Sequence, residues 1–468
     1  MKNIFKYCTL LFSLLIVFSC GDEDLEPTLA MSKDTSSAIQ NDDDLWNVMA
    51  SAYDRMTSTA YYGRNMLIMG DVRTDNMYSN MASGRFQESN MDHNPDGYGP
   101  WSTVYRVIAI CNIVLQVDTS KLEGDAGRAT HIQGQAYAVR ALAHFDLLRM
   151  YGQHFIDGQG GAQSLGIPYM KTYKDASNLQ PARDTVLSNV TDIQSDLTTA
   201  ISMMSTSYDT STSYMSTQGA YAIWARAALY FGAVDSSFYA AAGSAAKWVI
   251  DNGTASPASA AGFASTYTTD NASNSLFELA FSGTDSASIN GMGYILRGTS
   301  YGDVRILTGT GGADDIYDVF AADAATDVRF TARGIIGTAQ GYPTLIGKYP
   351  SVNGSDNITI TRVEEIHLIY AEAQLRAGNS AVALQYLNNI PAIRGASSYS
   401  VATLDNILNE RRKEFFGEGL RFYDLVRTGQ GMPEVDCGKQ LNCNLTGTPP
   451  PFGSYRYAYP IAKSERDA

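Results

Sequence analysis

The densest concentration of ionisable side chains in this 468-residue sequence is "ERRKEFFGEGLRFYDLVRTG", Glu410 to Gly429, where four acids and five bases are threaded with Phe, Leu, Tyr and Val. Such a stretch could serve as an acid–base cluster, a phosphate-binding patch or architecture. Glu410 and Lys413, Glu418 and Arg421, and Asp424 and Arg427 stand three apart, the spacing at which opposite charges meet on a helix. Leu404, Ile407, Leu408, Arg411 and Phe415 share one helical face, and Gly417 and Gly419 are expected to bend or interrupt it. Charges crowded among aromatics are tolerated only when paired, so a partly buried ionic seam is the better reading. A net charge of −14, with dispersed bases, argues against a nucleic-acid binder.

Other chemistry-bearing motifs fail for want of context. "GTSYG", Gly298 to Gly302, matches the pattern of a hydrolase nucleophile elbow, which needs a strand before it, a helix after it and a later acid and His. "DVRILTGTGG" follows instead, and the one downstream histidine, His367, falls in a helical pattern. "DHNPDG" offers Asp92, Asn94, Asp96 and Gly97 as the start of a calcium loop, but the closing position is Thr103, so a turn is the simpler reading. Paired glycosidase carboxylates need only be close in space, and among 48 Asp and Glu no sequence pattern singles them out. No zinc-protease, P-loop or dinucleotide motif is present, and no metal or cofactor is implied. "CGKQLNC" sets Cys437 and Cys443 six apart in a Gly/Asn-rich loop as a candidate disulfide of an exported protein. Cys111, inside "VIAICNIVL", reads as a buried small hydrophobe.

The elements that would position these residues are mainly helical. "DLWNVMASAYDRM" has an apolar stripe and begins after Asp42 to Asp44, whose carboxylates favour a helix N-terminus. "WSTVYRVIAICNIVLQVD" carries Val104, Ile108, Cys111 and Leu115 on one face; "GRATHIQGQAYAVRALAHFDLLRMYG" carries Ile132, Ala136, Val139, Ala143 and Leu147. Two further helical pairs follow, one ending near Gly232 and Gly253 and one turning at "RAGNSA". Small residues at crossings, aromatics several positions later and glycine at the turns resemble tetratricopeptide hairpins, without a strict repeat. Such units stack into an α-superhelix. Two regions break the pattern, Tyr61 to Pro100 and Ala255 to Ile360, both rich in Gly, Asp, Asn, Ser or Thr. Loops that long in a folded domain are usually functional.

At the N-terminus Lys2 and Lys6 precede an apolar run from Thr9 to Phe18, the layout of a secretory signal over residues 1–19. The run ends in "VFSC", similar to a lipobox with Cys20 as the lipid-bearing residue, and "GDEDLEP" resembles a surface-export signal of Bacteroidetes lipoproteins. Acyl chains contribute about 0.8 kcal/mol per buried methylene, enough when several are present to hold a protein on a membrane. Residues 20–40 read as a flexible tether and 41–468 as one fold. No later segment reaches the length of a membrane span.

"NERRKEFFGEGLRFYDLVRTG", together with "YRVIAICNIVL", "AYAVRALAHFDLLRMYG" and "YAYPIAKSERDA" in the same order, resembles the SusD/RagB family of outer-membrane lipoproteins. The resemblance implies a mainly α fold, with tetratricopeptide-rich helices to about residue 254, a loop-rich insert over 255–360 and a signature part over 361–468. It implies a surface-exposed binding protein, not an enzyme, that captures glycan or in some members peptide. Such a protein sits as a lid on a SusC-like TonB-dependent transporter in the outer membrane. An exported glycoside hydrolase and a purely structural lid are the competing readings. Trp46, Trp101, Trp224 and Trp248 fall in or at the start of helical patterns as packing residues. The 29 tyrosines are then the natural source of sugar-stacking faces. The expected site draws on Tyr61, Tyr62, Asp71, Arg73, Asn76, Tyr78 and Tyr98 from the first loop region and Tyr294 and Tyr301 from the second.

Overall fold

A computed structural model describes residues 38–467 except 93, 95, 331–335 and 444–445. Cys20, the expected signal and most of the expected tether lie outside these residues. The fold is mainly α-helical, with helical hairpins of tetratricopeptide type as scaffold and a few short strands.

Helix α1, Asp42–Met56, starts where Asn41 accepts the Asp44 N–H, and packs on α3, Trp101–Leu115. Helix α4, Ala126–Tyr151, is capped by the Asp125 carboxylate and lies between α3 and α5, Val186–Met203. Because α4 is covered from several sides, its polar residues must find partners. Arg140 grips Asp196 on α5 at 2.7 Å through both Nε and Nη2, and Arg149 meets Asp146 at 2.6 Å. Helices α6, Thr217–Phe231, and α7, Phe238–Asn252, form the next hairpin. Helices α10, Val363–Arg376, and α11, Ser380–Arg394, form another, and α7 bridges the two pairs by packing on α10.

The first loop-rich region departs from expectation by containing a helix, α2, Asn65–Val72, followed by strand β1, Met77–Ser79. Seven of the eight residues of α2 are buried, so its sequence, "NMLIMGDV", is apolar on every side and shows no amphipathic period. In the second region β2, Ser275–Leu279, pairs with β6, Ile358–Arg362. Helix α8, Met292–Arg297, precedes β3, Val304–Ile306, which pairs with β1. A short helix α9, Ile316–Phe320, is followed by the hairpin of β4, Ile336–Ala339, and β5, Tyr342–Leu345. Gln340 and Gly341 turn that hairpin with φ of 53° and 79°, as a tight two-residue connection requires.

The charged C-terminal stretch forms α12, Leu404–Glu414, and α13, Arg421–Arg427, and is more deeply buried than expected. Glu414 receives Arg362 and Arg394 at 2.7 Å and Arg329 at 3.0 Å, and Glu410 receives Arg329 at 2.6 Å. Glu410 with Lys413 and Asp424 with Arg427 pair as the spacing predicts. Glu418 and Arg421 do not. Glu418 turns to Lys348 and Arg362, while Arg421 meets Asp75 at 2.7 Å. The reason is local: Gly417 and Gly419 have φ of +81° and +74°, so the helix stops before Glu418 and the three-residue spacing no longer brings these side chains together.

Gly419 also lies against α2. A Cβ there would stand 2.7 Å from both the Leu67 Cα and the Met66 carbonyl oxygen, in a backbone conformation that L-residues rarely adopt. Gly419→Ala is therefore expected to cost roughly 2–3 kcal/mol, read as a lowered urea midpoint with unchanged slope. Cys437 and Cys443 are joined in a disulfide, and Cys111 is buried. Among the described residues, no helix is long and apolar enough to cross a membrane. A short terminal helix, α14, Lys463–Arg466, ends the chain's described part.

Candidate functional site

The residues expected to bind ligand divide into two groups. Tyr61, Tyr62, Asp71, Arg73 and Asn76 are buried, which corrects their assignment to a surface site. Tyr61 donates to Asp146 at 2.6 Å, and Tyr62 packs against Tyr61 with ring centroids 4.6 Å apart. Asp71 accepts from Asn76 Nδ2 at 2.6 Å and from the Gly419 N–H at 2.8 Å, and burial pushes its carboxyl up to about 6. The Arg73 guanidinium lies between the rings of Phe422, at 3.5 Å, and Tyr459, at 4.4 Å. Asn76 accepts from Arg412 at 2.9 Å. These polar residues tie α2 and β1 to the C-terminal seam. Tyr98 is half-buried, and its contacts run to Tyr459 and Tyr151.

Tyr78, Tyr294 and Tyr301 form the second group, which the fold carries to the surface. Tyr78 is the outward residue of β1, between inward Met77 and Ser79, as strand alternation dictates. Its register partner on β3 is Arg305, whose guanidinium lies 5.0 Å from the ring of Tyr342. Tyr342, on β5 beside the hairpin turn, is 52% exposed. Lys439 also faces the Tyr78 hydroxyl, but burial dominates and raises that phenol above its usual range. Tyr294, on α8, packs 6.3 Å from Tyr301, and the Arg85 guanidinium lies 4.3 Å from the Tyr301 ring. Gln340 donates to the carbonyls of Arg297 and Gly298, fastening the β4–β5 turn to the end of α8. Four chain segments thus converge on one face.

Tyr342, Arg85, Arg297 and Arg305 were not foreseen in sequence. One signal for Tyr342 was available: "AQGYP" is a two-residue turn motif that places an aromatic at the start of a strand. The arginines carried none, since their relation to the tyrosines is purely spatial.

A concavity of about 1010 Å³ lies between α3, the segment around Leu165 to Arg183, and the C-terminal residues, with Trp101, Tyr105, Tyr455 and Tyr459 in its wall. Several of its polar groups are already engaged. Tyr105 donates to the Pro168 carbonyl, and Arg183 to those of Gly166, Tyr151 and Leu165. At the tyrosine face Arg85 Nη1, Arg297 Nη2 and Arg305 Nε are shielded from solvent and have no hydrogen-bond partner among the described residues, as is also true of Arg73 Nη1 and Arg149 Nε in the interior.

The two catalytic motifs weighed in sequence take other forms. Around Ser300 a helix precedes and a strand follows, the reverse of a nucleophile elbow, and His367 interacts with Asn389 on α11. Asn94 accepts the Asp96 N–H in its side chain and the Gly97 N–H at its carbonyl, an Asx-type turn.

Helical hairpins thus form the scaffold, and the two loop-rich regions bring aromatic and cationic side chains together on it. Residues 24–229 match the family model described as "Starch-binding associating with outer membrane", and residues 346–466 match the SusD family model. The chain belongs to the SusD/RagB family. A SusD-like protein of Bacteroides ovatus is 34% identical over 100 residues, a stretch that spans 20% of this chain and 17% of that relative. The fold is similar to that of a Bacteroides vulgatus protein put forward as sugar-binding, with a TM-score of 0.79 and 27% identity over 92% of this chain and 97% of that one. A SusD superfamily protein of Bacteroides thetaiotaomicron gives a TM-score of 0.78 and 26% identity, covering 92% and 98%.

Proposed function

We propose that this protein holds a saccharide against the face formed by Tyr78, Tyr294, Tyr301 and Tyr342 and leaves its bonds intact. The observation that carries this reading is the convergence there of partly exposed tyrosine rings from both loop-rich regions, with arginine side chains packed against Tyr301 and Tyr342. Aromatic rings offer flat apolar surfaces to the C–H faces of pyranoses, and a few fixed polar groups select hydroxyl orientation. The description of the matching family model as starch-binding, and the sugar-binding reading of the Bacteroides vulgatus structure, support the same ligand class.

In this reading residues 1–19 are a signal, acylated Cys20 anchors the chain to the outer membrane, 20–40 are a tether, and 41–468 form one fold. The ligand is handed to a SusC-like TonB-dependent transporter. The tetratricopeptide-like helices face that partner, and the tyrosine face meets the medium.

Calorimetry against a panel of neutral and acidic polysaccharides tests the proposal. For a glycan that binds, Tyr78→Ala and Tyr342→Ala are each expected to weaken affinity about tenfold to thirtyfold, the range of an aromatic anchor. Neither should shift the melting temperature appreciably, because both rings are partly exposed. Unchanged affinity in the double variant would move the site elsewhere, the large concavity being next in line. Release of reducing ends at enzymatic rates would overturn the non-catalytic assignment.

A further inference from the structure

Trp248 does more than the packing its helical pattern implies. It stands on α7, half-buried, with its ring stacked on that of Tyr221 on α6, centroids 3.8 Å apart and planes 10° from parallel. Trp224, by contrast, is buried, and Trp46 meets Tyr214 edge-on. The stack fastens α6 to α7 and so fixes the plane of the indole. Trp248, and not Tyr221, also lines a concavity of about 580 Å³. That volume falls within the range of about 300–1,000 Å³ occupied by small-molecule sites.

The rest of the wall is polar and almost uncharged. It comes from residues 206–212, the start of α6, the end of α7 with Thr254 just after it, and Asn271 ahead of β2. Hydrogen bonds tie these segments to one another. Asn271 Oδ1 accepts from the Ser211 hydroxyl at 2.5 Å and from the Thr212 N–H and hydroxyl at 3.0 and 2.9 Å, and Gln218 Oε1 accepts the Thr254 N–H at 3.0 Å. The wall is therefore held in place before any ligand arrives, which lowers the ordering cost of binding. Thr210, Asn252, Thr254 and Asn271 are exposed, so this wall meets solvent, unlike the shielded guanidinium nitrogens of the tyrosine face. Asp209 is the one ionisable side chain in it among the described residues, and its carboxylate already takes the Thr217 N–H at 2.9 Å. Lys247 and Asp251, also on α7, satisfy each other at 2.5 Å.

An aromatic plane ringed by neutral hydroxyls and amides suits a ligand with a flat C–H face and a rim of hydroxyls, and each of those wall groups can make more than one hydrogen bond. We propose that this concavity is a second saccharide site, which takes a neutral glycan with one pyranose ring against Trp248 and its hydroxyls on Thr212, Gln218, Asn252 and Thr254. It shares no residue with the tyrosine face and does not rest on it.

The test is calorimetry with maltoheptaose, laminarihexaose, cellohexaose and mannohexaose on the Tyr78→Ala, Tyr342→Ala double variant, in which the tyrosine face is disabled. At least one probe is expected to bind it. Adding Trp248→Leu should weaken that binding about tenfold to thirtyfold, as for an aromatic anchor. Because leucine also removes the stack between α6 and α7, Asn252→Ala with Thr254→Ala gives a second reading at exposed positions. That pair should cost about threefold to tenfold, the value of one or two hydrogen bonds, with little change in melting temperature. Intrinsic fluorescence should shift when the probe binds, and the shift should vanish in Trp248→Phe, which keeps a ring on Tyr221. Binding to the wild type that is absent from the tyrosine double variant would overturn the second site and leave the tyrosine face standing. Binding to the double variant that neither Trp248→Leu nor the Asn252 and Thr254 pair weakens would overturn it as well. Binding untouched by the two tyrosine substitutions and lost through Trp248 and its neighbours would uphold it and remove the tyrosine face. Absence of binding of every probe to every form would overturn it.

Discussion

Glu414→Ala is expected to destabilise the protein by roughly 3–5 kcal/mol, the cost of removing one partner from a buried charge cluster. The carboxylate is fully buried and meets Arg329, Arg362 and Arg394, each itself at most 2% exposed. Burial opposes its ionisation, but Arg394, Arg362 and Arg329 outweigh this and hold it well below the usual carboxylate range. Alanine would leave three guanidinium groups in the interior with Glu364, Glu410, Glu418 and Asp327 to share. The measurement is urea unfolding, with Lys247→Ala as control. Lys247 pairs with Asp251 at 2.5 Å at the surface and should change stability by less than about 0.5 kcal/mol. Similar effects from the two substitutions would show that the seam contributes nothing beyond surface charge.

Acidification is expected to weaken the fold already between about pH 6.5 and 4, above the range in which most carboxylates protonate. His131, His144 and His154 are buried without a compensating negative partner strong enough to keep them charged, and burial lowers them, His131 to about 4 and His154 to about 3. His144 shows why. Its Nε2 accepts the Met170 N–H at 3.1 Å while Nδ1 faces the Arg140 carbonyl at 3.0 Å, so the neutral ring satisfies both and a second proton would break one. A histidine lowered on folding contributes stability that is present above its unfolded pKa of about 6.5 and is lost as pH falls toward the folded value.

Each contributes a slope of about 1.4 kcal/mol per pH unit. Asp71 and Asp356, both raised to about 6 by burial, act in the opposite sense, gaining as pH falls below 6. Asp356 is only partly buried and counts for less. Below the carboxylate range Asp75, held at about 2 by Arg412 and Arg421 against its burial, adds to the loss. Urea midpoints should therefore fall steadily from pH 6.5 to 4 and more steeply below. His154→Phe should make the first part shallower by one histidine. A midpoint that rose between pH 6.5 and 5 would contradict this account.

The sequence by itself determined the helical scaffold, because amphipathic stripes, caps such as Asn41 and Asp125, and glycine punctuation are local signals. It also determined that the charges of Glu410 to Arg427 would be paired, since desolvated charge demands it. Partner choice was another matter. Once Gly417 and Gly419 interrupt the helix, Glu418 and Arg421 are free to reach residues tens to hundreds of positions away. The same limit applies to the site. Asp71, Arg73 and Asn76 looked like ligand groups because they are polar and lie in a Gly- and Asn-rich stretch, yet helix α2 draws them into the core. Only the tertiary structure decided which tyrosines face outward and that Arg85, Arg297 and Arg305 stand beside them. Strand register and loop packing set those neighbours, and neither leaves a period or a spacing in the chain.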